Sequence, residues 1–454
     1  MPSDASLPGT LGAGRPLPRA PSRGGPARTR DAGRSAAPDR LEWWGAGLAL
    51  LLQSGALFPL LLSSSDGSID DHARSLLRLV SLSASALALA LLARHLRDLA
   101  RALSRALHVV GLLLLPFVSV IWSVAPSATL KSGLGLALGM AVPLLIALRF
   151  SPRQFLLLAA AVLGSSMVLS LLLAGAMPGL AFMPGESELR GIYLHKNVLG
   201  WAAGLCSIVA IALMRDAEGR VARLGAPLLA ASLLCLLLSG SATGLLSVAF
   251  GLGIESFYKA MARRRGLGRF VVVLLFAQVV GLILIFLGSF LLPMLEALGK
   301  DATLTGRVPL WDLVDEEIGR HLLLGFGYQG FWTEGNVAAW NIWSLVGWQA
   351  PHSHNGYRET LLSFGLLGLV LLAVLLAVAL RQGVRLHLAR PQDQWLWLNV
   401  LAGVFLVMNL TESLFLDAGA FPWTLFATAV LLFAVRHPGL RVRPAGLPRL
   451  GRPA

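Results

Sequence analysis

The sequence predicts an all-α, polytopic integral membrane protein, and three observations support this prediction. First, the 454 residues are 56% hydrophobic and only 14% charged, with a mean hydropathy of +0.70, whereas a soluble protein carries about 25% charged residues. Second, apolar runs of about 17–25 residues, the length of a membrane-spanning helix, recur along the chain. Third, basic residues concentrate in alternate loops. The chain therefore has the composition of a helical membrane domain.

Twelve apolar runs are candidates for transmembrane helices. The seventh, eleventh and twelfth are the shortest of the set. The runs cover residues 43–62, 75–93, 106–124, 130–148, 154–175, 198–214, 224–238, 242–258, 270–292, 357–380, 395–410 and 420–435. We expect about twelve transmembrane helices, with a long outer loop before the tenth.

The basic residues orient this bundle. If the N-terminus is cytoplasmic, most of the 38 lysines and arginines fall in cytoplasmic segments, as the positive-inside rule requires. A missed helix would break this alternation. The sequence therefore predicts that both termini are cytoplasmic and that the loops over 176–197 and 293–356 lie on the outer face.

The ends of the chain differ from the membrane domain at 42–436. Residues 1–41 form an Arg- and Pro-rich segment that we expect to be disordered, and residues 437–454 form a basic cytoplasmic tail. The net charge of +14 is spread over every predicted cytoplasmic segment, so it indicates topology and contact with membrane lipids rather than a nucleic-acid partner.

The 293–356 loop concentrates polar and aromatic residues in an otherwise apolar chain. Its apolar residues at helical spacing predict an amphipathic helix, with Thr305 as its N-cap; these residues are Val308, Trp311, Val314 and Ile318. That helix either lies on the membrane surface or packs on the bundle. The tryptophans of the loop either anchor it at the membrane interface or stack on sugars.

Cations on the outer face oppose the orientation rule, so they need another explanation. Arg190, Lys196 and Arg307 are such cations. The planar guanidinium fork suits phosphate, so these residues are candidate ligands for a diphosphate at the membrane surface. Local salt bridges are the alternative, from Arg190 to Glu186 or Glu188 and from Arg307 to Asp312.

His352 and His354 lie just before the tenth span. Histidine is the commonest general base near neutral pH, but a metal ligand and a structural histidine are the alternatives. No third or fourth metal ligand is apparent nearby, so we expect no metal and no cofactor. The centres of the predicted spans are nearly free of ionisable residues, which argues against an ion-coupled transporter.

Four segments resemble the bacterial O-antigen ligase and polymerase superfamily of membrane glycosyltransferases. The first three resemble its WS-x-x-P, arginine-glycine and TGR-x-x-x-W elements. In the fourth, His354-Asn355 is followed by nine residues and then by a G-x-x-G pair, as in the ligase pattern. The segments are Trp122–Pro126, Arg190–Asn197, Leu304–Arg307 with Trp311, and His354–Gly368.

The resemblance implies a metal-independent, inverting glycosyl transfer on the periplasmic face of the bacterial inner membrane. The donor would be an undecaprenyl-diphosphate-linked glycan, and the acceptor a second glycan or lipid A core. The catalytic histidine of the family falls on His354, and its diphosphate-binding arginines fall on Arg190 and Arg307. Lys196, His352 and Asn355 are further candidates for substrate binding.

Three functions remain open at this point. The His-Lys-Asn form of the second element and the His352–Asn355 tetrad resemble exopolysaccharide polymerases, which favours a polymerase of lipid-linked repeat units. An O-antigen ligase that transfers glycan to lipid A core is the alternative within the superfamily. A flippase or channel for lipid-linked sugars is the alternative from another class.

Overall fold

The computed structural model describes residues 37–63, 69–289 and 307–437. Residues 1–36 of the predicted N-terminal segment and residues 438–454 of the predicted C-terminal tail lie outside these ranges, as does Thr305. Within them the chain folds into α-helices, with one isolated antiparallel bridge between Phe182 and Leu189. The helices are α1 (Arg40–Leu52), α2 (Phe58–Leu62), α3 (Asp71–Leu92), α4 (Leu96–Arg105), α5 (Leu107–Val118), α6 (Pro126–Gly139), α7 (Ala141–Arg149), α8 (Pro152–Ala176), α9 (Pro178–Ala181), α10 (Lys196–Leu213), α11 (Gly219–Ser239), α12 (Ala242–Arg263), α13 (Leu267–Ser289), α14 (Arg307–Arg320), α15 (Val337–Val346), α16 (Gly356–Ala389), α17 (Trp395–Met408) and α18 (Phe421–Arg436).

Seven helical segments of the described chain are long and apolar enough to cross a membrane. This confirms the predicted all-α, polytopic membrane architecture. They are His72–Arg105, Pro126–Arg149, Pro152–Ala176, Lys196–Leu213, Gly219–Ser239, Ala242–Arg263 and Gly356–Ala389. Among the described residues, each of the twelve predicted apolar runs overlaps at least one helix, and the count of twelve crossings remains a prediction.

The first predicted span is not continuous. The chain leaves α1 after Leu52 and re-enters helix at Phe58. Gly55 and Leu57 between the two helices have φ angles of +69° and +68°, and the Leu57 N–H donates to the Ile192 carbonyl at 2.8 Å. Hydropathy does not reveal this break because a tertiary contact with a distant loop stabilises it.

Buried ion pairs and a cap stabilise the end of the bundle at which α1 begins. Asp39 and Glu42 form a capping box at the start of α1. The Glu42 carboxylate is 1% exposed and accepts hydrogen bonds from Nε and Nη2 of Arg149 at 3.0–3.1 Å. A buried carboxylate needs such a partner, because desolvation without one is costly.

Helices α14 and α15 pack on the protein rather than lying free on a membrane surface. In α14, Leu310, Val314 and Ile318 are buried in a second apolar core. That core also includes Trp343 of α15 and Leu362 of α16. Of the two alternatives for the predicted amphipathic helix, the structure therefore shows the packed one.

Gly365 interrupts α16, and the interruption holds the preceding loop in place. Its φ and ψ angles of +60° and −155° are accessible essentially to glycine only. A Cβ at this position would lie 2.5 Å from the carbonyl oxygens of Leu322 and Leu323. The N–H of Leu366 donates to the Leu322 carbonyl at 2.8 Å. The first glycine of the G-x-x-G pair thus docks the loop before α15 onto the helix that follows His354.

Candidate functional site

A tightly bonded turn, His352–Asn355, carries the two histidines to the start of α16. The Ser353 side chain is fully buried, and its backbone N–H donates to Oε2 of Glu359 at 2.8 Å. The Asn355 N–H donates to the Ser413 hydroxyl at 3.0 Å. The residues on both sides of His354 are therefore fixed by bonds to α16 and to the loop after α17.

His354 itself has a φ angle of +52°, in the left-handed region. A residue other than glycine adopts this conformation only when its surroundings enforce it, and such residues cluster at functional sites. The imidazole is 19% exposed and lies against Trp348, with ring centroids 5.7 Å apart. The turn thus presents the His354 ring at a defined, partly accessible position.

Glu412 joins His354 to Arg307. Nη2 of Arg307 donates to Oε1 of Glu412 at 2.9 Å, and Nδ1 of His354 lies 3.6 Å from Oε2 of the same carboxylate. The Glu412 side chain is only 3% exposed and that of Arg307 only 15%. The structure therefore brings two of the predicted site residues together around a buried acidic group.

Helix α14 supplies Arg307 from the same face that contacts the histidine turn. Trp311 follows Arg307 by four residues, which places both side chains on one side of a helix. Nε1 of Trp311 donates to the Ser353 carbonyl at 2.8 Å. The Arg358 guanidinium lies over the Trp311 ring, 4.9 Å from its centroid. The tryptophan of the TGR-x-x-x-W element thus attaches α14 to the turn, and its arginine attaches α14 to Glu412 beside the turn.

Glu412 and His352 line a cavity of about 140 Å³ between helix ends. Trp201, Leu205 and Phe421 form part of its apolar wall. Tyr193, from the predicted arginine-glycine element, lines the same cavity. Two elements that the sequence analysis singled out, more than 150 residues apart, therefore share one cavity wall.

Gly191 shapes the segment that leads to this cavity. Its φ angle is +59°, and a Cβ would lie 2.3 Å from the Ser170 hydroxyl oxygen. The next residue, Ile192, donates its N–H to that same hydroxyl at 3.2 Å. A close approach to α8 thus explains the glycine that follows Arg190.

Arg190 is buried, at 4% exposure. Its Nε donates to the Leu180 carbonyl at 3.1 Å, while its Nη1 is buried and lacks a hydrogen-bond partner among the described residues. Burial lowers the pKa of its guanidinium. Among the described residues, Arg190 does not contact Arg307 or His354, and it forms no salt bridge with Glu186 or Glu188.

Lys196, rather than Arg190, pairs with Glu186 and Glu188. Its Nζ lies 2.5 Å from Oε2 of Glu186 and 3.6 Å from Oε1 of Glu188. The hydrogen bond from Lys196 lowers the pKa of Glu186. Lys196 is thus engaged within its own loop. The alternative partner of Arg307, Asp312, is likewise replaced by Glu412.

Asn355 uses both ends of its amide in the fold. Its Oδ1 caps α16 by accepting from the N–H groups of Tyr357 and Arg358 at 3.1 and 3.0 Å. Its Nδ2 donates to the Leu410 carbonyl at 3.0 Å. These bonds anchor the histidine turn, so Asn355 acts on the site through His354.

His352 is a neutral imidazole that accepts a hydrogen bond. Burial, together with the charges of His354 and Arg307, lowers the pKa of His352 to about 3. Its Nδ1 accepts the His354 backbone N–H at 3.2 Å, which leaves the proton on Nε2. His195 of the His-Lys-Asn segment has the same arrangement, since its Nδ1 accepts from the Asn197 N–H at 3.1 Å and burial lowers its pKa.

Glu412 is a site residue that none of the sequence motifs contains. It lies in the short loop between α17 and α18, and its only acidic neighbour in that loop is Asp417. A search of the outer loops for carboxylates, rather than for cations and histidines alone, would have found it.

Chemically, the assembled site offers a guanidinium for an anion, an imidazole for a proton and a buried carboxylate between them.

Two comparisons with known proteins bear on this site. Residues 227–373 match the family described as O-antigen ligase, and this segment includes Arg307, His352, His354 and Asn355. The chain is also 32% identical over 291 residues to the exopolysaccharide production protein ExoQ of Rhizobium meliloti (strain 1021). That match covers 61% of this chain and 65% of the relative, just under two thirds of its length.

Both comparisons support the predicted resemblance to the O-antigen ligase and polymerase superfamily. Arg190 and Glu412 lie outside the matched family segment. Glu412 is connected to that segment by its contact with Arg307 and by the cavity that it lines with His352. In the Arg190 element, the residue that lines this cavity is Tyr193.

Proposed function

We propose that this membrane protein, whose residues 227–373 match the O-antigen ligase family, is a glycosyltransferase of polysaccharide assembly that polymerises lipid-linked oligosaccharide units. The observation that carries the proposal is the meeting of Arg307 and His354 on Glu412, beside the cavity. An anion-binding cation and a general base lie side by side there, as displacement of a diphosphate by a hydroxyl requires.

In the proposed reaction, an acceptor hydroxyl of one glycan attacks the anomeric carbon of a second glycan linked to undecaprenyl diphosphate. Nε2 of His354 takes the hydroxyl proton as the new C–O bond forms. The bond between the anomeric carbon and the diphosphate breaks, and its electron pair leaves with the diphosphate. Attack opposite to the leaving group inverts the anomeric configuration.

Two guanidinium groups are suited to the departing diphosphate. Arg307 has one nitrogen on Glu412, and a guanidinium has five N–H donors. Arg190 has a buried Nη1 without a partner in the described chain, and such a group is costly unless a ligand satisfies it. Fixed positive groups would stabilise the developing charge without a metal ion.

The exopolysaccharide production protein among the relatives favours the polymerase over the ligase. We place the site on the periplasmic face of the inner membrane, because the basic residues predict that the loop before the tenth span is outside. A glycan substrate presented on an undecaprenyl carrier would approach from the outer leaflet, beside the apolar wall of the cavity.

Deletion of the gene, followed by analysis of cell-surface and secreted glycans, tests this function. We expect loss of polymerised exopolysaccharide and accumulation of single lipid-linked repeat units. Complementation with His354→Ala should fail to restore polymer although the protein reaches the membrane at normal level. Polymer at the normal level from His354→Ala would refute the assignment of the base.

The same deletion separates the alternatives. Bare lipid A core with accumulated lipid-linked polymer would identify a ligase instead. Repeat units that remain accessible only from the cytoplasmic leaflet would identify a flippase, and either outcome would overturn the polymerase.

A further inference from the structure

We propose that Glu412 is a positioning residue, which holds the His354 imidazole through Nδ1 so that Nε2 faces the acceptor. This inference rests on the proposed function, in which His354 accepts a proton. No motif of the sequence analysis contains Glu412, and it lies outside the family match, 105 residues after Arg307.

The geometry around Nδ1 carries the inference. Nδ1 of His354 is buried and has no hydrogen-bond partner among the described residues, and the nearest acidic atom is Oε2 of Glu412 at 3.6 Å. This separation exceeds a hydrogen bond. Hydrogen bonds of catalytic groups are often long without substrate and shorten when the substrate is bound. A shift of well under 1 Å would complete this one.

A hydrogen bond from Nδ1–H to Glu412 would fix the tautomer of His354. The lone pair would then reside on Nε2, which is the atom that must take the proton from the hydroxyl of the acceptor glycan. After proton transfer, the carboxylate would stabilise the imidazolium by its charge. This is the relation that orients the histidine in Ser-His-Asp triads.

Arg307 makes it possible for a carboxylate to remain charged in this place. Glu412 is 3% exposed, and an unpaired buried carboxylate would be strongly disfavoured. The arginine engages Oε1, which leaves Oε2 for the histidine. The two oxygens of one carboxylate thus divide between the diphosphate-binding residue and the base.

Three elements bring other ionisable groups near Glu412. His352 from the turn and Asp417 from the loop after α17 line the cavity with Glu412, and the charge of Glu412 acts on His195 at the start of α10. Burial lowers the pKa of both His195 and His352 and raises the pKa of Asp417. His352 is therefore neutral near neutral pH, and among the described residues Arg307 and His354 are the basic groups within 4 Å of the Glu412 carboxylate.

A chemical titration of His354 tests the contact without any substrate. Diethyl pyrocarbonate modifies neutral imidazole, and mass spectrometry reports the modified fraction of the His354 peptide at each pH. In full-length protein in lipid nanodiscs, we expect Glu412→Gln to shift the pH midpoint of modification downward by about one unit, because an attracting carboxylate is lost.

Glu317→Gln is the matched control. Glu317 is also a buried carboxylate, at 7% exposure, and it pairs with Arg320 rather than with His354 among the described residues. The control should leave the midpoint unchanged. An unchanged midpoint in folded Glu412→Gln protein would overturn the proposal.

Activity measurements then separate a positioning role from a structural one. With lipid-linked glycan extracted from a deletion strain as donor, Glu412→Gln should lower kcat about 10²-fold, within the range typical of general-base catalysis. The acidic limb of its pH profile should move in step with the His354 midpoint. Glu412→Gln in a His354→Ala background should cost almost nothing more, since residues that act as a unit are non-additive.

The outcomes distinguish this inference from the proposed function. If His354→Ala keeps full activity while Glu412→Gln still shifts the midpoint, the proposed base fails and the contact stands. If Glu412→Gln loses activity with an unshifted midpoint and pH profile, Glu412 acts on Arg307 alone and the positioning role is refuted.

Discussion

Nη2 of Arg307 lies 2.9 Å from Oε1 of Glu412, although the two residues are 105 positions apart in the sequence. The contact connects α14 to the loop between α17 and α18, directly beside the histidine turn. Because the carboxylate is buried, Arg307 stabilises the fold as the counter-ion of Glu412. In the proposed function it also binds the diphosphate. Any substitution of Arg307 must therefore be interpreted with both roles in mind.

Arg307→Lys separates these two roles. An ammonium group retains the charge opposite Glu412 but cannot reproduce a planar fork that holds Glu412 and a phosphate together. We expect normal protein level in the membrane and a fall in polymer synthesis of at least about tenfold, a loss of about 1.4 kcal/mol in transition-state stabilisation. Glycan gels and immunoblots of membranes measure both quantities. A normal amount of polymer from Arg307→Lys would show that Arg307 acts only as the counter-ion of Glu412.

Arg190→Lys addresses the second guanidinium. The Nε bond to Leu180 needs a hydrogen-bond donor at that position. Nη1, which has no partner in the described part of the chain, is the group proposed to bind the donor substrate. We expect a raised KM for the lipid-linked donor, because a binding group is lost in the ground state as well as in the transition state. Arg320→Lys, a change at an exposed arginine paired with Glu316 and Glu317, is the control. Unchanged KM and kcat in Arg190→Lys would contradict a role in donor binding.

The sequence predicts the helices well and the site only in part. Hydropathy locates the apolar runs because membrane burial depends on composition along a continuous segment. It does not place the break after α1, since the Leu57 contact with Ile192 depends on the folded chain. The motifs locate Arg307 and His354, but no local pattern pairs either residue with Glu412.

Gly365→Ala tests the docking of the loop on α16. The alanine would occupy a backbone region that costs about 1–3 kcal/mol for a residue with a Cβ, and that Cβ would clash with the carbonyls of the Leu322–Leu323 segment. We expect a lower thermal midpoint and reduced polymer. Gly135→Ala is the control, because a Cβ there meets nothing within 4 Å and alanine favours helix. Equal thermal midpoints for the two variants would show that the conformation of Gly365 does not hold the loop on α16.

His352 should make the protein sensitive to acid. Its folded-state pKa of about 3 lies below the ordinary value of 6.5, so below about pH 6.5 the unfolded chain binds a proton that the folded chain does not. The contribution of His352 to the free energy of unfolding therefore decreases as the pH falls from about 6.5 towards 3. We expect the thermal midpoint of the wild type to fall more between pH 7.5 and 5 than that of His352→Asn. Parallel curves for the two proteins would show that His352 does not remain neutral in the folded state.

Asn355→Ser and Asn355→Ala distinguish the cap from the second bond of the same amide. Serine retains an oxygen that can cap α16, whereas alanine removes it at a cost of about 1 kcal/mol. Both variants lose the bond from Nδ2 to the Leu410 carbonyl. Because these bonds hold the positive-φ conformation of His354, we expect activity to fall in the order wild type, serine, alanine, with thermal stability in the same order. If serine proved as damaging as alanine, the Leu410 bond, and not the cap, would be the one that positions His354.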